Sequence, residues 1–109
     1  MDNMVMLIGR LTSDPEIKEV NDKKVVTMNI AKQRSYKNED GVYETEFFNV
    51  TLKNLLAQKT AEYCKKGDLI AIKGRLQTNV YEKKDGTKAY KLEIIAEKVT
   101  FLSQKKEAE

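Results

Sequence analysis

Three aromatic side chains of this 109-residue chain are interleaved with positive charges, and that combination is the chemistry its residues most readily support. Tyr36 lies within KQRSYK, Phe47 within TEFFNV, and Tyr81 follows Lys73 and Arg75. Any base has a π-face that can stack on an aromatic ring, whereas the phosphates between bases require a positive groove. These residues therefore favour binding to single-stranded nucleic acid.

The aromatic residues also have a simpler explanation, because an outward-facing ring on a strand more often packs against the neighbouring strand, by about two to one. Three such rings near cations reverse that preference. The cations expected to contact phosphates are Lys24, Lys32, Arg34, Lys37, Lys66, Lys73, Arg75, Lys83 and Lys84. Four acidic residues between positions 39 and 46 should repel phosphate, so we expect the nucleic acid to avoid that segment.

Catalytic and metal chemistry find little support in the composition. The chain has no histidine and one cysteine, Cys64, which excludes a Ser-His-Asp triad, an imidazole metal site, an internal disulfide and a zinc site of several thiolates. The acidic residues fall on predicted turns and polar strand faces, whereas a two-metal site requires them to converge. We therefore predict no enzyme activity, no metal, no cofactor and no small-molecule substrate, and a core position for Cys64.

The charge balance and hydropathy limit the possible partners. With 20 Lys+Arg against 17 Asp+Glu, the formal net charge is only +3, so binding to nucleic acid must depend on local clusters of charge. The apolar run Met4–Ile8 is too short for a signal peptide or a membrane span. We expect a cytoplasmic protein without a membrane partner.

Turn signals divide the chain into five strands and one helix. Asp14-Pro15, Asn21-Asp22, Asp40-Gly41 and Asp85-Gly86 separate apolar runs, and Asp-Gly between alternating segments is typical of hairpins. The predicted strands are Met4–Leu11, Val25–Ala31, Tyr43–Leu52, Leu69–Tyr81 and Ala89–Leu102. The run Leu55–Cys64 fits one face of a helix, with Asn54 as N-cap and Gly67 at the C′ position.

This order, with one helix between the third and fourth strands, predicts an all-β protein: a five-stranded Greek-key barrel of the oligonucleotide/oligosaccharide-binding (OB) fold. One domain should span residues 1–102, followed by a short polar tail at 103–109. Strand alternation predicts that Phe48, Val50 and Leu52 point inward and Phe47 outward. In the fourth strand, the residues expected to point inward are Ile70, Ile72, Leu76 and Val80.

Four collinear stretches resemble bacterial and phage single-stranded DNA-binding proteins. They are VMLIGRL with the following DPE, TEFFNV, AEYCKKG and IKGRLQT, and the resemblance runs from about Asn3 to Leu102. The resemblance implies sequence-independent binding and protection of single-stranded DNA at the nucleoid during replication, recombination or repair. It also implies base stacking on Tyr36, Phe47 and Tyr81, where the family has tryptophans.

Two departures from the family pattern concern DNA binding. Lys53 stands at a position that is usually aromatic, which suggests an ionic contact in place of a stacked base. Gln77 and Asn79 replace family arginines, which suggests a more modest affinity.

Two other functions stay open: an RNA-binding OB module, and a primosome-type OB protein that binds partners as much as DNA.

The resemblance also implies a homo-oligomer. Family members are typically homotetramers, and both faces of Met4–Ile8 are apolar, which fits a strand covered on two sides. We expect a tetramer, with a dimer as the alternative.

The family usually ends in an acidic, hydrophobic tip that recruits other proteins, whereas this sequence ends in KKEAE, so we expect no recruitment through such a tip.

Overall fold

Residues 3–104 are described by the computed structural model. In this range the chain forms β1 (Val5–Leu11), β2 (Ile17–Val20), β3 (Lys23–Lys37), β4 (Tyr43–Lys53), α1 (Asn54–Tyr63), β5 (Leu69–Glu82) and β6 (Lys88–Ser103). The tail predicted over residues 103–109 differs at its first residue, since Ser103 belongs to β6. The rest of that tail, from residue 105 onward, lies outside the described residues.

Five of these strands close into a barrel. β1 pairs antiparallel with β5, and Arg10–Leu11 at its end also pairs antiparallel with β3. β3 with β4 and β5 with β6 are antiparallel, whereas β4 and β6 run parallel where Val50 lies opposite Ile94. Helix α1 connects β4 to β5. The predicted five-stranded OB barrel is therefore confirmed, with β1, β3, β4, β5 and β6 as its strands.

The short strand β2 was not predicted and is an addition to the barrel. It folds back on β3 through Asn21 and Asp22, whose φ angles are +51° and +65°, a region that Asn and Asp enter more readily than most residues. Val20 then lies opposite Lys23. All four residues of β2 are exposed, so the strand lacks the alternation of buried and exposed positions by which strands are recognised in a sequence.

The core fills the barrel with aliphatic side chains from several strands. Its largest fully buried members are Val26, Met28, Ile30, Val50, Leu52, Ile70 and Ile72. Burying one Val, Leu or Ile side chain stabilises the fold by about 1.5–3 kcal/mol. The inward orientation predicted for Phe48, Val50 and Leu52 is confirmed, with Phe48 partly buried against this cluster, and Phe47 is 63% exposed as predicted.

The inward prediction is wrong for the second half of β5. Leu76 is 38% exposed and Val80 is 54% exposed. The parallel pairing of β4 with β6 covers only Val50 and Thr51, and none of residues 76–93 belongs to the buried core, so the far part of the β5–β6 hairpin extends past it. We call this part, residues 76–93, the ribbon. Apolar and polar residues alternate along the ribbon as they do in the barrel strands, although no core lies beneath it.

Helix α1 is confirmed, but its caps differ from the prediction. Lys53 is the N-cap and makes no side-chain capping bond, while Asn54 is the first helical residue, with φ of +60°. The C-cap is Cys64, so Gly67 lies beyond the C′ position, where its N–H donates to the carbonyl oxygen of Leu11 at 2.8 Å. Gly67 thus joins the loop after the helix to β1, and the predicted C′ role is wrong.

Candidate nucleic-acid interface

The outward face of β3 and β4 carries one large aromatic ring with little protein beside it. Phe47 is 63% exposed, and its cross-strand partner on β3 is Ala31. A cross-strand packing role requires a large neighbour within reach, and alanine offers only a methyl group. The neighbouring pair, Ile30 opposite Phe48, faces the core side of the same two strands. The simpler explanation of Phe47 as a cross-strand packing residue therefore loses its support.

Beyond Phe47 the same face is polar and hydrogen-bonded. The Asn29 amide nitrogen donates to Asn49 Oδ1 at 3.0 Å, and the Thr12 hydroxyl donates to Asn29 Oδ1 at 3.0 Å. Thr27 lies opposite Thr51 in the next pair on this face. These bonds hold short side chains in place, so this part of the face lacks long side chains that a ligand would have to displace.

Two clefts cross this face and share three residues, which makes them one continuous groove. The first, about 370 Å³, is lined by Val20, Val25, Thr27, Asn49, Thr51, Lys53, Lys91, Leu92 and Glu93. The second, about 520 Å³, is lined by Ser13, Asp14, Glu16, Lys18, Val20, Val25 and Thr27. The ribbon forms one wall of this groove, and the β2 hairpin with the loop before it forms the other. Its lining contains three lysines and three acidic residues, so phosphate contacts there depend on individual lysines.

Tyr81 lies on the ribbon and resembles Phe47 in its surroundings. Its ring is 52% exposed, and its cross-strand partner on β6 is Ala89. On the same face of the ribbon, Asn79 lies opposite Lys91 and Gln77 opposite Glu93, both of which line the groove. The face that carries Tyr81 is thus the face that turns its lysine and glutamate toward the groove.

Tyr36 has different surroundings. It lies at the end of β3, where the pairing with β4 shifts register between Gln33 and Lys37. The Arg34 guanidinium carbon is 5.9 Å from the centre of the Tyr36 ring. Arg34 in turn forms ion pairs with Glu46 and Glu44, and the bond to Glu46 raises the pKa of the guanidinium further above its ordinary value. Tyr36 is 63% exposed.

The cations predicted to contact phosphates are dispersed over several surfaces. Lys53 lines the groove. Lys24 lies on the core side of β3, where its Nζ donates to Gln58 on α1 at 3.0 Å, so the structure separates it from the groove. The main-chain N–H of Lys66 donates to Asp14 at 2.7 Å in the loop after the helix.

Other predicted contacts lie on the β1–β5 face or at the hairpin ends. Lys73 is the cross-strand neighbour of Met6, and Arg75 lies 3.9 Å from Glu97. At the end of β3, Lys32 lies opposite Glu46, and Lys37 Nζ is 5.5 Å from the Tyr43 ring centre.

Lys83 and Lys84 occupy the turn at the tip of the ribbon. The Thr87 main-chain carbonyl accepts from Lys83 N–H at 2.8 Å, which closes the turn. The Thr87 hydroxyl donates to Asp85 at 2.6 Å and thereby lowers the pKa of that carboxyl group. The two lysines therefore sit on an ordered turn at the far end of the groove wall.

Lys91 and Lys18 also line the groove, and neither was predicted as a phosphate contact. For Lys91 the sequence carried no signal, because a two-residue turn at Asp85-Gly86 would place Asn79 opposite Leu92, whereas the hairpin is centred on Asp85 and places Asn79 opposite Lys91. Lys18 belongs to the unpredicted strand β2, so no strand pattern pointed to it.

Among residues 3–104, no group of three or more His, Cys, Asp or Glu side chains is arranged to hold a metal ion. No helix in this range is long and apolar enough to cross a membrane. Cys64 is 4% exposed, which confirms its core position, and burial raises the pKa of its thiol.

Comparison with known protein families identifies the family of this chain. The family model described as "Single-strand binding protein family" matches residues 2–102. The chain belongs to the single-strand binding protein family.

Relatives within the single-strand binding protein family include three from bacteria. "Single-stranded DNA-binding protein B" of Bacillus subtilis (strain 168) is 41% identical over 106 residues, covering 96% of this chain and 94% of that protein. The "Single-stranded DNA-binding protein" of Clostridium tetani is 45% identical over 102 residues, 92% of this chain and 70% of that protein. That of Bacillus cereus is 42% identical over 103 residues, 94% of this chain and 61% of that protein.

Proposed function

We propose that this protein binds and protects single-stranded DNA without sequence preference during replication, recombination or repair, in the bacterial cytoplasm where the DNA lies. Family membership and the names of its relatives support this function. The observation that carries it is the exposure of Phe47 and Tyr81, each of which lies opposite an alanine on the neighbouring strand. Rings that no neighbouring strand covers are available to bases.

In this proposal, the aromatic rings bind bases and the cations bind phosphates. Bases stack on Phe47 and Tyr81, and stacking accepts any base because every base has a π-face. Lys53 on the groove wall pairs with a phosphate, which gives affinity without reading sequence. Neither interaction involves making or breaking a covalent bond, so this function needs no catalytic residue, cofactor or metal.

We propose further that the protein works as a homotetramer, or as a dimer. Met4, Met6 and Ile8 are 66%, 60% and 52% exposed and lie at or next to β1 on its outward side. Their neighbours Leu7 and Leu11 face the core, so β1 presents apolar residues on both faces. Exposed apolar patches of this kind mark contacts between proteins, and closed symmetric assemblies are the common way to cover them.

The test of DNA binding is a titration of fluorescently labelled oligo-dT, followed by anisotropy, against matched duplex DNA and RNA at two salt concentrations. We expect oligo-dT to bind more tightly than duplex. The logarithm of its affinity should fall with the logarithm of salt, by about 0.7 for each lysine–phosphate contact. Equal binding to duplex, or an affinity that does not change with salt, would contradict the proposal. Preference for RNA would indicate recognition of the 2′-hydroxyl and an RNA-binding function.

A further inference from the structure

The end of the β3–β4 hairpin holds Tyr36 on a segment without regular strand pairing. Gln33 lies opposite Thr45 and Lys37 opposite Tyr43, so β3 has two more residues than β4 across this interval. Such a bulge removes ladder hydrogen bonds and bends the strand. The orientation of the Tyr36 side chain must then depend on other contacts.

Arg34 supplies those contacts through two carboxylates of the opposite strand. Its Nε donates to Glu46 Oε1 at 2.6 Å, and its Nη1 donates to Glu44 Oε2 at 2.9 Å. The planar guanidinium fork can engage two acceptors in fixed directions. The bulge is therefore tied to β4 at Glu44 and Glu46, which share one face of the strand, the face opposite Phe47.

The same network continues to the tip of the hairpin. The other oxygen of Glu44 accepts from Asn38 Nδ2 at 3.2 Å. Asn38 Oδ1 in turn accepts the main-chain N–H groups of Asp40 and Val42 at 2.9 and 3.0 Å. A continuous chain of hydrogen bonds thus runs from Glu46 through Arg34 to the turn, and Tyr36 lies against the guanidinium in its middle, at 5.9 Å.

The local charge disfavours a phosphate at Arg34. One guanidinium faces two carboxylates, so the three side chains together carry a net negative charge. A phosphate approaching Arg34 would meet that negative charge and would have to compete with bonds already made. A guanidinium within about 6 Å of a ring, by contrast, attracts its face and holds it in place.

We propose that Arg34 is a positioning residue that holds the bulge and the ring of Tyr36 for stacking with a base, and that it does not bind a phosphate. This inference rests on the proposed binding of single-stranded DNA and assigns Arg34 a role different from the one expected from its charge alone. The bases of single-stranded DNA stack on the ring, and the carboxylates of Glu44 and Glu46 hold Arg34 in position.

The test uses a charge-conserving double variant, Arg34→Gln with Glu46→Gln, which removes both ion pairs of Arg34 and leaves the local net charge unchanged. Oligo-dT affinity is measured over a range of salt for this variant, for Tyr36→Ala, and for the combination of all three changes. Lys53→Gln is the control for loss of a phosphate contact. Circular dichroism melting verifies that each variant is folded, which we expect because the substituted residues of the hairpin end are at least partly exposed.

We expect Tyr36→Ala to weaken binding about 5- to 150-fold, the range for one stacked base. The charge-conserving variant should lose affinity with its salt slope unchanged, and should add no further loss once Tyr36 is alanine, because both changes remove the same interaction. Lys53→Gln should instead reduce the slope by about 0.7.

Four results would overturn the inference: a reduced slope in the charge-conserving variant, unchanged affinity in it, losses that add to those of Tyr36→Ala, or no loss from Tyr36→Ala itself. The proposed function is judged separately. It fails if the unsubstituted protein does not bind oligo-dT, whereas these four results concern Arg34 in a protein that binds.

Discussion

Replacing Phe47 and Phe48 separately by alanine distinguishes the binding face of β4 from its core face. Successive residues of a strand point to opposite sides, and here one ring is 63% exposed while the other packs against the buried cluster. Phe47→Ala should weaken oligo-dT binding with little effect on folding. Phe48→Ala should destabilise the fold and leave binding by the remaining folded protein close to normal.

The magnitudes follow from the burial of each ring. With Phe47 63% exposed, little more than a third of roughly 200 Å² is covered, which at about 25 cal/mol/Å² limits the loss of stability to about 2 kcal/mol. This is an upper bound, because the unfolded chain also covers part of its apolar surface. The binding loss should be about 1–3 kcal/mol, the worth of one stacked base.

For Phe48→Ala we expect about 3 kcal/mol less stability, the lower end of the range for buried Phe, because the ring is only partly buried. For a domain near 100 residues this corresponds to a fall in Tm of roughly 12 to 24 °C. Phe47→Tyr, which retains a ring on the same face, is the matched control and should bind nearly as well as the unsubstituted protein.

The assays are thermal melting by circular dichroism and oligo-dT titration below the lowest Tm of the set. The reasoning would be refuted if Phe47→Ala melted early with normal affinity while Phe48→Ala stayed folded and lost DNA. That outcome would mean that the strand register is displaced by one residue and that the binding face is the other one.

Five other substitutions, two of them matched controls, test the barrel, the assembly and the groove. A methyl group on Gly9 would lie 2.5 Å from a main-chain oxygen of β3, so Gly9→Ala should lower stability by about 3 kcal/mol. Gly41→Ala, with φ of +76° and open space, should cost about 1 kcal/mol in chemical denaturation. Met6→Glu should reduce the molar mass measured by light scattering, and a stable monomer in the unsubstituted protein would contradict the proposed tetramer. Lys53→Gln should reduce the salt slope of DNA binding, whereas Lys24→Gln, with its lysine bound to α1, should not.

The sequence by itself determined the features that depend on local periodicity and turn chemistry. The helix, the barrel strands and their order were predictable because Asp-Gly turns and alternating apolar residues report on neighbouring positions along the chain. The opposite orientation of Phe47 and Phe48 follows from the same strand geometry. The same geometry places Tyr81 and Val80 on opposite faces of β5, although both are exposed.

Tertiary structure alone decided which of these positions meet. Val80 and Leu76 alternate as core residues do, yet they are 54% and 38% exposed because the ribbon extends past the buried core. Lys24 and Lys53 were both predicted as phosphate contacts. Only Lys53 lines the groove, because Lys24 donates to Gln58 on α1. Residues far apart in sequence come together through strand register, which alternation does not specify.

The role of Arg34 also depends on strand register. Its charge and its neighbour Tyr36 suggested a phosphate contact, but its two carboxylate partners belong to the next strand and reach it only through the pairing of β3 with β4. Sequence periodicity determines the side of a strand on which a charge lies. Whether that charge is available to a ligand depends on partners that only the folded sheet brings within hydrogen-bonding distance.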